Sequence, residues 1–164
     1  EWPGLITPIN AELLIPRVSI FVGGQGAPTG TLGTSVRRWL EVGHRCEHLL
    51  LYSAALVAAF LQYAADPSAE HTLGLCQANA QHRALLSQAP SYPKHLLEAL
   101  QSVPGFDQTW SFKTTGAGGE DAVLLLGDKI NLGPAVACLR SLGWYELPYN
   151  SSPAGVTWTI EERL

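Results

Sequence analysis

The chain has 164 residues, a length that fits one domain or a large part of one. Hydrophobic residues make up 46% and charged residues 15%, so a sizeable core can be buried and disorder is excluded. The net charge is −4 and the lysines and arginines are scattered, which excludes a basic stripe for nucleic acid.

In chain order, residues up to Pro16 carry proline and polar breaks and read as a lead-in segment. The start, Glu1-Trp2-Pro3-Gly4, lacks the basic and apolar stretches of a signal peptide. The chain contains no methionine, so a processed start or a place within a longer protein is expected. Residues 17–22 are β-branched and aromatic and end in Gly23-Gly24, the pattern of a strand. A glycine- and threonine-rich loop is expected over 24–33. Thr31 or Thr34 then caps a helix with Val36, Trp39 and Leu40 on one face.

A helix over 48–65 is apolar almost all round, which predicts a central, buried position. Its longest apolar run, 49–61, is shorter than the ~18 residues that read as a membrane span, so no membrane partner is expected. Asp66-Pro67-Ser68 breaks this helix. Another follows over 69–88, with Leu73, Cys76, Ala80, Leu85 and Leu86 at helical spacing, and then a short one over 94–102. Strands are expected over 109–113 and 122–126. The second is continuously apolar, as a strand buried on both faces would be. A helix over 131–142 stops at Gly143. Residues 144–147 and 156–160 suit a final strand or hairpin.

This order predicts one α+β domain over 1–164, with helices packed on one face of an antiparallel sheet. It approaches a ferredoxin-like βαββαβ plan with additional helices in the first crossover. Cys46, Cys76 and Cys138 are odd in number and far apart. Neither a disulfide framework nor a zinc site is expected, and a reducing cytoplasmic setting with buried thiols fits. His44 and His48 are four apart but lack a third ligand, so no metal site is expected. His71, His82 and His95 read as surface or boundary residues. No GxSxG nucleophile motif occurs.

The segment with most chemical content is Thr115-Gly116-Ala117-Gly118-Gly119, preceded by Lys113 and followed by Glu120 and Asp121. Small residues expose backbone N–H groups, and a turn of successive N–H groups cradles an anion. A tight hairpin needs glycine as well, so a plain turn stands beside the anion reading. Thr29, Gly30 and Thr31 crowd a helix start, where the dipole favours a phosphate or carboxylate; a simply capped helix is the alternative.

Lys113 to Gly119, followed by Asp121-Ala122-Val123, resembles the third motif of GHMP kinases, a [Ser/Thr]-Gly-Ala-Gly-Gly-Gly turn before a hydrophobic strand. Val22 to Thr31 is similar to the strand-to-helix loop that opens the C-terminal half of phosphomevalonate kinases. Glu120 stands where the family usually has a third glycine, and Gly24-Gln25 where an aromatic residue is common. The resemblance implies the C-terminal domain of an ATP-dependent small-molecule kinase. Its expected substrate is phosphomevalonate or mevalonate, which makes isoprenoid biosynthesis in the cytoplasm the expected setting.

It further implies that Lys113, Thr115, Gly116, Ala117, Gly118, Gly119 and Asp121 form an active-site loop. Thr29, Gly30 and Thr31 would hold the acidic end of the substrate. ATP and Mg²⁺ would be bound mainly by an N-terminal half of the same protein, because the family's phosphate loop does not occur in these residues. The chain alone is therefore expected to be inactive. Other members that share the motif are diphosphomevalonate decarboxylase and sugar or homoserine kinases. Outside the family, a stand-alone ferredoxin-like ligand-binding or regulatory module fits the same layout.

Overall fold

The structure, a computed structural model, describes residues 11–23, 29–115 and 121–148. A short helix α1 (Ala11–Leu14) and a 3₁₀ turn (Ile15–Arg17) lead into strand β1 (Val18–Val22). Four helices follow: α2 (Thr29–Leu40), α3 (Arg45–Ala65), α4 (Ala69–Leu86) and α5 (Lys94–Gln101). Strands β2 (Trp110–Thr114) and β3 (Ala122–Gly127), helix α6 (Lys129–Ser141) and strand β4 (Tyr145–Leu147) complete the described order. This is an α+β fold. The expected strand over 156–160 lies outside the described residues.

The four strands form one sheet in the order β2-β3-β1-β4, and every neighbouring pair is antiparallel. Register places Phe21 opposite Val123, which in turn faces Thr114; two residues along, Ser19, Leu125 and Phe112 share a row. Side chains alternate across a strand. The rows Phe21–Val123 and Leu125–Phe112 therefore point to one face, and the Val18–Leu126–Ser111 row points to the other.

Both faces are covered by helices, which corrects the expectation of helices on one face. On one side Phe21, Trp110, Phe112, Val123 and Leu125 pack with Leu96 and Leu100 of α5 and with Leu132, Ala135 and Leu139 of α6. On the other side Val18 and Leu126 meet Leu56 and Tyr63 of α3 and Leu75 of α4. The physical reason is already visible in β3: a continuously apolar strand exposes apolar side chains on both faces, and each face needs a cover.

Local signals place several boundaries. Ser68 caps α4, its hydroxyl accepting from the His71 N–H at 3.2 Å. Gly143 has φ +82° after α6. Its N–H donates to Arg140 O, and the Trp144 N–H donates to Leu139 O, each at 3.0 Å. That is the paired bond pattern of a Schellman stop, with Trp144 and Leu139 in the same core cluster.

Helix α3 departs from the expected central position. Its inner face buries Leu56, Tyr63 and Ala64, but its outer face leaves Leu50, Leu51 and Val57 exposed. The all-round apolar pattern thus belongs to a surface layer. At 21 residues α3 is long and apolar enough to cross a membrane, with 17% of its most apolar window buried. Here its inner face is packed on the sheet and α4. Cys46 is exposed on this helix, Cys138 is half-buried and Cys76 is buried, so only one of the three expected buried thiols is fully so.

Candidate functional site

β1 runs toward Gly23, β2 ends at Thr114, and β3 begins at Ala122, so all three meet at one end of the sheet. The Gly23 N–H donates to Asp121 O at 3.2 Å, which fastens the exit of β1 to the entrance of β3. The Thr115 N–H donates to Ala122 O at 3.0 Å, and the Thr115 hydroxyl reaches the same carbonyl at 3.1 Å. Gly23 and Thr115 therefore flank β3 about two strand spacings apart, roughly 10 Å. The two glycine-bearing segments singled out in the sequence leave the sheet at these adjacent ends. Gly116, Ala117, Gly118 and Gly119 lie outside the described residues, as do 24–28.

Thr29 is the first residue of α2, so Thr29, Gly30 and Thr31 form its first turn instead of a loop. Thr31 and Thr34 are helical residues, not caps.

Lys113 projects from β2 on the face that α3 and α4 cover, in a row with Leu124 and Ile20. It is half-buried, and its Nζ donates to Thr114 O at 3.1 Å. Burial pulls its ammonium below the usual lysine range. His82 of α4 lines the same narrow cleft, together with Arg83 and Tyr92. His82 is buried, not a surface or boundary residue, and its Nε2 lies 3.2 Å from Ser53 Oγ of α3. Burial lowers its pKa, and the positive charges of Lys113 and Arg83 add to that effect. The buried Tyr92 hydroxyl has no hydrogen-bond partner among the described residues. Burial raises its pKa, so it remains a neutral donor. Lys113 and His82 thus lie toward the glycine-bearing end of the sheet, whereas the Arg83 guanidinium turns away to Ser111, Phe112 O and Asp107 at the start of β2.

Behind the cleft lies a network that the sequence pattern did not reveal. Arg83 donates to Ser111 Oγ at 3.1 Å and to Phe112 O at 2.9 Å, and pairs with the carboxylate of Asp107. Asn79 Nδ2 donates to the same Ser111 Oγ and Phe112 O, at 2.8 and 2.7 Å. The guanidinium also sits over the rings of Phe106 and Phe112, at 4.7 and 5.0 Å from their centroids. The available signal was the four-residue spacing of Asn79 and Arg83, which puts both on one helix face with Leu75 and Cys76.

α3 begins three residues earlier than the expected 48, so His44 is its N-cap and His48 lies in its first turn. His44 pairs with Glu47 at 3.0 Å and His48 stacks on Tyr52. No group of three His, Cys, Asp or Glu side chains suited to a metal ion occurs among the described residues. Two shallow cavities of about 300 and 420 Å³ share Arg140 and Glu146 beside β4. The first is also lined by Val18 and Ser19, at the end of β1 remote from Gly23.

No protein-family model matches this chain, and no curated protein matches it. Among solved structures it is similar to a Lin0012 protein from Listeria innocua, with a TM-score of 0.64 at 19% identity. The match covers 84% of this chain and 39% of that one, so the chain spans well under half the length of that neighbour. At this identity the likeness establishes a shared fold.

Proposed function

We propose that this chain is the C-terminal part of an ATP-dependent small-molecule kinase of the GHMP type. It acts with an N-terminal half of the same protein on a mevalonate-pathway substrate, phosphomevalonate or mevalonate, in the cytoplasm. The observation that carries this reading is the meeting of two sequence segments. Each resembles a part of that family independently, and Gly23, Thr115 and Asp121 join their ends at one end of the sheet. The strand order supports it too: read from the other edge it is β4-β1-β3-β2, the order of a ferredoxin-like βαββαβ sheet, with α2 to α5 in the first crossover.

In this reading the bare main chain of Gly116 to Gly119 supports the phosphate-binding loop of the N-terminal half. Lys113 offsets phosphate charge from the side of the cleft, and the first turn of α2, at Thr29 to Thr31, holds the acidic end of the substrate. Asp121 and Thr115 tie the loop to the sheet. ATP and Mg²⁺ are held mainly by the N-terminal half.

The test is phosphoryl transfer from ATP by the polypeptide joined to its N-terminal half, against a panel of phosphomevalonate, mevalonate, homoserine and sugars. Transfer to phosphomevalonate or mevalonate is expected. No transfer to any of them overturns the reading, and transfer to homoserine or a sugar reassigns the substrate within the family. The 164-residue chain alone is expected to give none.

A further inference from the structure

We propose that the outer face of α3 is the surface on which the remainder of a longer polypeptide docks, laying an apolar helix along it. This rests on the reading above that the chain acts with an N-terminal half. Leu50, Leu51 and Val57 are 68, 63 and 57% exposed, on a helix whose opposite face is already packed on the sheet. A helix that is apolar on both sides belongs inside a protein. The described residues supply the layer beneath α3 and nothing above it.

The shape of the face points to a helix as its occupant. Ala54 and Ala58 are exposed and one turn apart, between Leu50 and Val57 on one side and Leu51 on the other. Small side chains at the centre let a second helix approach at the short end of the ~8–10 Å range of helix packing, with the larger side chains interdigitating around it. A lipid surface fits less well. An interfacial helix carries Lys or Arg beside its apolar stripe, whereas the residues of α3 after Arg45 include no Lys or Arg, and Arg45 itself is engaged over the Trp39 ring at 5.2 Å. A source for the missing layer exists in the solved neighbour, whose chain continues well beyond the 39% that this one matches.

The experiment compares thiol labelling of Ala54→Cys, in a Cys46→Ser background, between the full polypeptide encoded by the parent gene and the 164-residue chain. Rates at position 54 are read by peptide mass spectrometry, at concentrations where light scattering shows monomers. Carbene footprinting of the unsubstituted protein over 50–58 gives the same readout without a variant. At least tenfold slower labelling in the full polypeptide is expected. Equal rates overturn the proposal. So does protection of the isolated chain that grows with its concentration, which assigns the face to a second copy. Protection appearing only with phosphatidylcholine–phosphatidylglycerol vesicles overturns it in favour of lipid, and a gene that encodes no further residues overturns it outright. Protection without phosphoryl transfer sinks the kinase reading alone; transfer without protection sinks this proposal alone.

Discussion

Arg83 on α4 and Asp107, three residues before β2, form an ion pair whose arginine side chain is 6% exposed and whose aspartate is 22% exposed. The pair ties the α4 layer to the start of β2, because Asp107 also accepts from Ser111 Oγ at 2.7 Å, and its own N–H donates to Trp110 O at 2.8 Å. Asp107 holds φ +55°, a left-handed conformation that aspartate tolerates better than most residues. The carboxylate is thus aimed at a cation that would otherwise be buried without one.

Removing one partner of such a pair strands the other. Arg83→Ala is expected to lower the unfolding free energy by about 3–5 kcal/mol. Arg83→Lys is expected to recover only part of that, since one ammonium cannot replace the planar fork that meets Asp107 and Phe112 O together. Urea denaturation of the three proteins measures the order. Equal stability of wild type and Arg83→Ala would show that the pair contributes nothing net.

His82 makes stability depend on pH. Its folded-state pKa is lowered from 6.5 by burial first, then by Lys113 and Arg83. The unfolded chain therefore takes up a proton at higher pH than the folded one. The contribution of His82 is present above pH 6.5 and is lost as pH falls below it toward the folded value. The urea midpoint is expected to drop between pH 7.5 and 5.5, and His82→Gln is expected to flatten that slope. An unchanged slope in His82→Gln would place the effect on other groups.

Two glycines should respond to alanine in opposite directions. Gly127 sits opposite Trp110 at φ +148°, and a Cβ there would stand 2.8 Å from both Thr109 O and Trp110 Cβ. Gly127→Ala is expected to cost about 2 kcal/mol or more, through strain and a clash with backbone. Gly74, inside α4, has nothing within 4 Å of such a Cβ. Gly74→Ala is expected to gain about 0.5–1 kcal/mol from lower chain entropy. Thermal unfolding followed by circular dichroism separates the two.

Lys113 divides stability from function. Its ammonium is held below the ordinary range by burial alone, so the charge is a cost to the fold. Lys113→Met keeps the apolar stem and removes that cost, so stability is expected to stay level or rise. Phosphoryl transfer by the joined polypeptide is expected to fall about 100-fold, the scale seen when one stabiliser of developing charge is removed. A loss of both stability and activity would mark Lys113 as a structural residue.

Much of the element order was legible in the sequence, because its signals are local. Asp66-Pro67-Ser68 ends α3 and caps α4, and Gly143 stops α6 through its left-handed φ. The β-branched and aromatic stretch before Gly23 is a strand. The start of α2 was placed late, since a run of Thr and Gly has turn chemistry and only its setting made it helical. Leu73 was expected in the core of α4 and is 41% exposed, while Thr72, Asn79, His82 and Arg83 are buried. Hydrophobicity ranks side chains one at a time. A buried arginine becomes tolerable only when a carboxylate and carbonyls arrive from residues 24 to 29 positions away.

By itself the sequence determined the segments, their ends, and the two glycine-bearing stretches that resemble a kinase family. Those properties follow from backbone preference and short-range periodicity, which each stretch carries within itself. Tertiary structure alone decided that β3 lies between β1 and β2, which brings Gly23 and Thr115 to one end of the sheet, and that helices cover both faces of the sheet. It also decided that α3, apolar all round, has its outer face bare. Strand pairing and helix docking depend on which distant surfaces meet, and no local pattern encodes that choice.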